Sequence, residues 1–339
     1  MMTSFQSNER PVALYGAGSW GTALAFQLVR QQVPVHLWTN EPAHAAQMAA
    51  ERCNNLFLPG HPFPDLIRST GDFEATLQNA RYVLVAVPSN GFRSVLEMLA
   101  PLLAPDTGVL WATKGLDPSG EMLHEVAISL LGKKRPLAVL SGPSFAREVA
   151  IGLPTAVVIA STHPEFAEQL AHDFNNPSFR TYPSTDLAGV GTGGVVKNVL
   201  AIATGISDGM NLGANARCAL ITRGLAEMTR LGLALGASSE TFTGLACLGD
   251  LVLTATDDQS RNRRLGLAIG KGATPDDAER EIGQVVEGKH NARQLTALAK
   301  RCNVEMPITE MVWEVLQNKI TSKEALEALL SREPHKAFY

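Results

Sequence analysis

Val12-Ala-Leu-Tyr-Gly-Ala-Gly-Ser-Trp-Gly-Thr-Ala-Leu-Ala25 is the stretch whose reading decides the fold. Its first four residues form an apolar run of strand length. Gly16, Gly18 and Gly21 follow at G-x-G-x-x-G spacing, and small and apolar residues then recur at helical spacing through Phe26 and Leu28. Strand, glycine turn and helix in this order make a phosphate cradle. The first glycine permits the tight turn, the second lets the backbone approach a pyrophosphate, and the third lets helix and strand pack closely. The start of the helix adds N–H groups and the positive end of its dipole. The stretch predicts dinucleotide binding; a glycine-rich turn that binds nothing is the plain alternative.

Further strands follow outward from it. Val33–Trp38, Tyr82–Val87, Gly108–Thr113, Pro136–Leu140 and Thr155–Ala160 are apolar runs separated by helical intervals. This alternation predicts an α/β fold whose N-terminal part is a doubly wound, Rossmann-like parallel sheet. Right-handed crossovers put the loops after its strands along one edge, where ligands collect. Those loops hold Thr39, Asn40 and Glu41; Pro88-Ser89-Asn90; Lys114-Gly115; and Ser141-Gly-Pro-Ser-Phe-Ala-Arg-Glu148. An acid after the second strand favours NAD and a base favours NADP. Asn40 carries no charge and leaves that choice open, while Glu41 is either an acidic reader or part of the next helix. The Pro- and Gly-rich segment Asn54–Pro64 reads as a connector.

Near Asp186 the strand-like runs stop and long helical patterns take over, which predicts an all-helical C-terminal domain. The expected domains are 11–190 and 191–339. Lys197 and Asn198 lie among Val195, Val196, Val199, Leu200 and Ile202. A lysine is rarely buried without a reason, and a desolvated one becomes a usable proton donor or acceptor near neutral pH. It could instead snorkel to water. Asp250, in an apolar run, needs a partner, for which Lys197 or a substrate hydroxyl would serve; Thr254 shares its helix face. Ser260-Arg-Asn-Arg-Arg264 is the densest basic patch. Its arginines match phosphate geometry or else form a solvated face neutralised by Asp257 and Asp258. Gln284–Gly288 and Met306–Ile308 read as loops between helices, with Glu287 exposed or bonded to a nicotinamide amide.

The 339 residues favour two domains, and a formal charge of −4 argues against bulk binding to nucleic acid or an anionic membrane. Cys53, Cys218, Cys247 and Cys302 form no C-x-x-C pair and suggest the reduced thiols of a cytoplasmic protein. No apolar run reads as long enough to span a membrane, and Met1–Arg10 reads as a frayed polar tail without a signal-peptide core. No His/Cys/Glu cluster has metal-ligand spacing, so no metal is expected.

Together these motifs resemble the soluble NAD(P)-dependent sn-glycerol-3-phosphate dehydrogenases in their bacterial form, over about residues 11–332. The resemblance rests on Gly16-Ala-Gly-Ser-Trp-Gly-Thr-Ala-Leu24, Leu58-Pro-Gly60, Ala112-Thr-Lys-Gly-Leu116, Ser141-Gly-Pro-Ser-Phe-Ala146, Val196-Lys-Asn198, Leu248-Gly-Asp-Leu-Val-Leu-Thr254 and Ser260-Arg-Asn262. It implies NAD(H) or NADP(H) as cofactor, with Ser19, Trp20 and Ala146 against it and Asn40 near the adenosine ribose. It implies that Lys114 reaches both cofactor and substrate and that Gly142 and Ser144 line the substrate site. Lys197 would be the proton donor and acceptor, with Asn198 and Thr254 beside it, and Asp250 would fix the substrate hydroxyl and the Lys197 ammonium. Ser260, Arg261 and Asn262 would hold a phosphate, and Val285 and Glu287 would close over the nicotinamide. It also implies reduction of dihydroxyacetone phosphate to sn-glycerol 3-phosphate for phospholipid synthesis, by a homodimer. Asn40 stands where the bacterial family often has His or Arg, Phe57 replaces a common Tyr, and Cys247 a common Gly. The rival readings are a ketopantoate or β-hydroxyacid reductase of similar build and a non-catalytic NAD(P)H sensor.

Overall fold

The computed structural model describes residues 10–332. Two compact units divide between Gly191 and Thr192. The first alternates strands and helices: β1 (Val12–Tyr15), α1 (Ser19–Val29), β2 (Val35–Trp38), α2 (Pro42–Glu51), β3 (Ile67–Thr70), α3 (Phe73–Leu77), β4 (Tyr82–Val85), α4 (Ser89–Leu99), β5 (Gly108–Trp111), α5 (Leu123–Leu131), β6 (Leu137–Ser141), α6 (Ala146–Ile151), β7 (Thr155–Ser161), α7 (Pro164–Phe174) and β8 (Phe179–Ser184). The strands form one sheet in the order β3-β2-β1-β4-β5-β6-β7-β8. β1, β4, β5 and β6 are buried along their whole length, as expected of parallel strands covered on both faces. Val12 pairs with Val35 on one side and Tyr82 on the other, so the chain reverses its winding direction beside β1. The glycine turn leaves the carboxyl end of that strand, which is where such a reversal opens a crevice.

Two strands had no signature in the apolar pattern. β3 buries fully only Ile67 of its four residues, and β8 alternates inward Phe179 and Thr181 with exposed Arg180 and Tyr182 and carries Pro183. Both are edge strands, which need only one apolar face and tolerate proline. β1 to β6 are parallel, and β7 runs antiparallel to β6. The connection between β6 and β7 carries the six-residue α6. The expected tail Met1–Arg10 lies outside the described residues except for Arg10. That residue is not frayed, since its guanidinium donates to the carbonyls of Asn79 (3.2 Å) and Ala80 (2.6 Å).

Among the described residues the second unit is helical, formed by α8 (Leu187–Gly209) beyond Gly191, α9 (Gly213–Ala234), α10 (Asp250–Thr256), α11 (Arg261–Gly270), α12 (Pro275–Ile282), α13 (Glu287–Arg301), α14 (Pro307–Leu316) and α15 (Ser322–Leu330). Glu287 and Pro307, read as loop residues, open α13 and α14. α8 corrects the expectation about apolar length: it is long and apolar enough to cross a membrane, with mean hydropathy 1.3. Its glycines, threonines and Lys197 break up the run in the sequence. In the fold 89% of that apolar window is buried, which is the position of a core helix. α8 and α11 approach backbone to backbone. A Cβ on Gly205 would lie 2.9 Å from the Gly266 Cα, and one on Gly209 would lie 2.9 Å from the Gly270 Cα. Only glycine allows this approach, and it carries the Arg261 end of α11 toward the middle of α8.

Candidate active site

The turn after β1 has the sterics a dinucleotide requires. Gly16 adopts φ +121°, and a Cβ there would sit 2.7 Å from the Ala86 backbone. A Cβ on Gly21 would overlap the Gly16 carbonyl oxygen, so the third glycine is what lets α1 start against the strand. Around Gly18, by contrast, a Cβ would meet nothing within 4 Å. Gly18 also caps α1 without any side-chain hydrogen bond, which leaves the dipole end to a ligand. Trp20 adds an indole N–H that is buried and has no hydrogen-bond partner. Ser19 Oγ donates to the Phe57 carbonyl (2.7 Å). These observations fit the pyrophosphate of a dinucleotide.

Other predicted residues of this unit follow at the same sheet edge. Asn40 is exposed just past β2, and Glu41 caps α2 in extended backbone. Pro88 precedes α4, which starts at Ser89. Lys114 Nζ donates to the Gly142 carbonyl (3.2 Å), and Ser144 Oγ donates to the same oxygen (2.9 Å). The structure thus brings Lys114, Gly142 and Ser144 to one point past β5 and β6. Ala146, the first residue of α6, packs against the core.

In the second unit Lys197 does not snorkel. It is 7% exposed, and its Nζ lies 3.2 Å from Asp250 Oδ1 and 2.9 Å from Thr254 Oγ1. Asp250 is 1% exposed and opens α10 after a single π-helical turn, Leu245–Gly249. Thr254 sits one turn further on and donates its hydroxyl hydrogen to the Asp250 carbonyl oxygen (2.6 Å). Its oxygen is then set to accept from the lysine. An ammonium in this setting has a matched anion and a hydroxyl acceptor, which is what keeps a buried charge tolerable. Cys247, also wholly buried, packs its Sγ over Gly193 of α8, where a Cβ would come within 2.5 Å of it. None of the four cysteines forms a disulfide.

The basic patch divides by helix face. Ser260 Oγ caps α11 by accepting from Arg263 N (3.2 Å). Arg261 is exposed at the first position of the helix. Desolvation by surrounding protein holds its pKa below the usual arginine value; Glu287 opposes that shift and Arg264 adds to it. Asn262 is buried. It donates to Asn198 Oδ1 (2.9 Å), and its own Oδ1 accepts from Gly288 N (2.8 Å). At Arg263 the reading of an arginine neutralised by nearby Asp258 holds, although the side chain is buried and not on a solvated face. That side chain is 8% exposed and bonds Asp258 (2.8 Å) and Asp208, so it is a structural ion pair and not a ligand arm. Asp257 takes no part in it, since its Oδ1 accepts from Gln259 N (2.8 Å). Asp208 was invisible to the sequence reading because it lies 55 residues from Arg263. Gly288 was also missed, although a Cβ there would press to 2.7 Å on both Asn198 O and Asn262 Oδ1. Val285 is 45% exposed just before the start of α13.

A glycine cradle on a doubly wound sheet and a buried ammonium–carboxylate–hydroxyl set on a helical unit define a nicotinamide-dinucleotide dehydrogenase. Residues 11–167 match the N-terminal family model of NAD-dependent glycerol-3-phosphate dehydrogenase and residues 186–327 its C-terminal model, so the chain belongs to that family. The glycerol-3-phosphate dehydrogenase [NAD(P)+] of Aeromonas salmonicida is 53% identical over 324 residues, covering 95% of this chain and 97% of the relative. The crystal structure of glycerol-3-phosphate dehydrogenase from Coxiella burnetii superposes with a TM-score of 0.93 at 48% identity, covering 96% of this chain and all of that one. A ketopantoate reductase from Ralstonia eutropha shares the fold alone, at 18% identity and TM-score 0.58 over 93% of this chain and 99% of its own.

Proposed function

We propose that the enzyme reduces dihydroxyacetone phosphate to sn-glycerol 3-phosphate with NADH or NADPH, reversibly, and so supplies glycerophospholipid synthesis. The observation that carries the chemistry is the Lys197 ammonium, buried 3.2 Å from Asp250 and 2.9 Å from Thr254. The dinucleotide, when bound, supplies a hydride to the ketone carbon. Lys197 places positive charge where the ketone oxygen becomes an alkoxide and passes a proton to it, to be restored from solvent. Asp250 and Thr254 hold the ammonium in place, and Asn198 fixes Asn262. Arg261, with the Ser260–Asn262 start of α11, binds the phosphate, and that remote binding energy orients the ketone. Glu287 favours the charged form of Arg261, and with Val285 it closes over the nicotinamide end of the cofactor.

In the first unit, Gly16, Gly18, Ser19, Trp20 and Gly21 hold the pyrophosphate end of the cofactor. Asn40 meets its adenosine ribose, and its lack of charge admits either dinucleotide. Lys114, Gly142 and Ser144 contact substrate, and Ala146 the cofactor. Residues 11–190 thus serve as the dinucleotide-binding domain and 191–339 as the substrate domain. The enzyme acts in the cytoplasm, in keeping with four cysteines outside any disulfide. It acts as a homodimer: the second unit has an apolar groove of about 700 Å³ between α9, α14 and α15, with Leu212 and Leu330 exposed, and light scattering reads the mass.

The test is oxidation of NADH and NADPH with dihydroxyacetone phosphate and with dihydroxyacetone. Turnover confined to the phosphate ester is expected. Equal turnover of both ketones, or of neither, overturns the substrate assignment.

A further inference from the structure

Side chains that no motif marks tie the glycine turn to the end of β2. Asn54, 0% exposed in the connector after α2, donates from Nδ2 to the Ala17 carbonyl (2.8 Å) and to Thr22 Oγ1 (2.8 Å). Its Oδ1 accepts from Phe57 N (3.2 Å) and lies 3.0 Å from His44 Nε2. Because both amide hydrogens of Asn54 go to Ala17 and Thr22, Oδ1 is the acceptor and His44 Nε2 carries a proton. His44 Nδ1 meets Thr39 Oγ1 at 3.4 Å, immediately before Asn40. The His44 ring packs edge-on against Phe57, whose carbonyl accepts from Ser19. Ala17, Thr22 and Thr39 are thus bonded into one buried set, and Ser19 joins it through Phe57 at its exposed edge.

The Ala17 contact has a geometric consequence. The Ala17 carbonyl and the Gly18 N–H belong to one planar trans peptide and point in opposite directions. Pinning the carbonyl inward with Asn54 aims the Gly18 N–H outward, on the glycine whose surroundings are open. A free peptide plane there could rotate, and the donor would then lose its aim.

We propose that Asn54, backed by Thr22 and His44, is a positioning residue for the cofactor: it locks the Ala17–Gly18 peptide in its pyrophosphate-binding orientation and couples it to the ribose end through Thr39. The proposal rests on the dinucleotide reading of the turn and is independent of which ketone is reduced.

The test is titration of the full-length enzyme with NADH and with NADPH, followed by quenching of tryptophan fluorescence, beside thermal melts and steady-state kinetics. Asn54→Ala is expected to raise both Kd values about tenfold or more. The near-isosteric Thr22→Val should raise them about three- to fivefold, and Thr22→Ser should stay within about twofold of the parent. Turnover at saturating cofactor and KM for the ketone should hold within about twofold in all three. Unchanged Kd in Asn54→Ala and Thr22→Val, even with lower Tm, overturns the proposal in favour of a purely structural role. If Asn54→Ala does not fold, the Thr22→Val and Thr22→Ser pair decides by the same criterion. If the parent enzyme binds neither dinucleotide, the reading of the turn falls first and takes this proposal with it.

Discussion

Replacing Asp250 with asparagine removes the anion from the Lys197 pair while nearly conserving shape. The two side chains are 9% and 2% exposed, and their charged atoms are 3.2 Å apart. At an effective dielectric of about 20, two unit charges at that separation attract by about 5 kcal/mol. Breaking a buried pair from one side costs about 3–5 kcal/mol, because the remaining charge is left uncompensated. The asparagine oxygen can still accept one bond from Lys197, so the lower end applies: about 3 kcal/mol, or a fall in Tm of roughly 6–12 °C. An ammonium without its anion either stays charged at that cost or gives up the proton it must deliver. Turnover should therefore fall at least about a hundredfold. Thermal melts and turnover of Asp250→Asn, Lys197→Met and the double variant form the assay. The double variant should be more stable than the sum of the single effects by at least about 1 kcal/mol. A single-variant cost below about 1 kcal/mol with no coupling would refute the claim that this pair holds the proton donor.

Two neighbouring arginines should behave oppositely. Arg261→Ala should raise KM for the phosphorylated ketone about 10- to 100-fold with little change in Tm, by loss of charge-assisted phosphate bonds. Arg263→Ala should leave KM near the parent value and lower stability by about 1.5–3 kcal/mol, since it strips one partner from Asp208 while Arg217 (2.8 Å) stays in place; the reverse pattern would exchange their roles. Glu227, buried on α9, accepts from Ile308 N (2.6 Å), Thr309 N (3.2 Å) and Thr309 Oγ1 (3.0 Å) at the start of α14. Burial pushes its pKa from the ordinary 4.5 up to about 7. The folded state therefore keeps a proton that the unfolded chain releases, and stability falls as pH rises from about 4.5 through 7, by about 3 kcal/mol in all. Chemical denaturation across that window should show the loss, and Glu227→Gln should flatten it.

The glycine turn, the buried central strands and the change to helices near Asp186 were legible because each signal is local. A strand–turn–helix is specified within about twenty residues, and a strand covered on both faces is an unbroken apolar run. The edge strands β3 and β8 were not, since one-sided burial leaves a mixed composition. Lys197, Asp250 and Thr254 were legible as odd polar residues in apolar runs, but the bond from Lys197 to Thr254 spans 57 residues. The connector around Asn54 looked inert, because an asparagine in a Pro- and Gly-rich loop carries no mark of the partners it meets.

The sequence by itself determined that a dinucleotide cradle precedes a helical half bearing a lysine and an aspartate, because backbone sterics and hydrophobic periodicity act over one or two turns. The tertiary structure alone decided which charges stay exposed and which are struts. Arg261 and Arg263 differ by two positions, about 200° around α11, and that rotation leaves one exposed and turns the other onto Asp208. Whether a charged side chain binds a substrate or holds the fold depends on its burial and on partners distant in the chain, and neither is written in its neighbours.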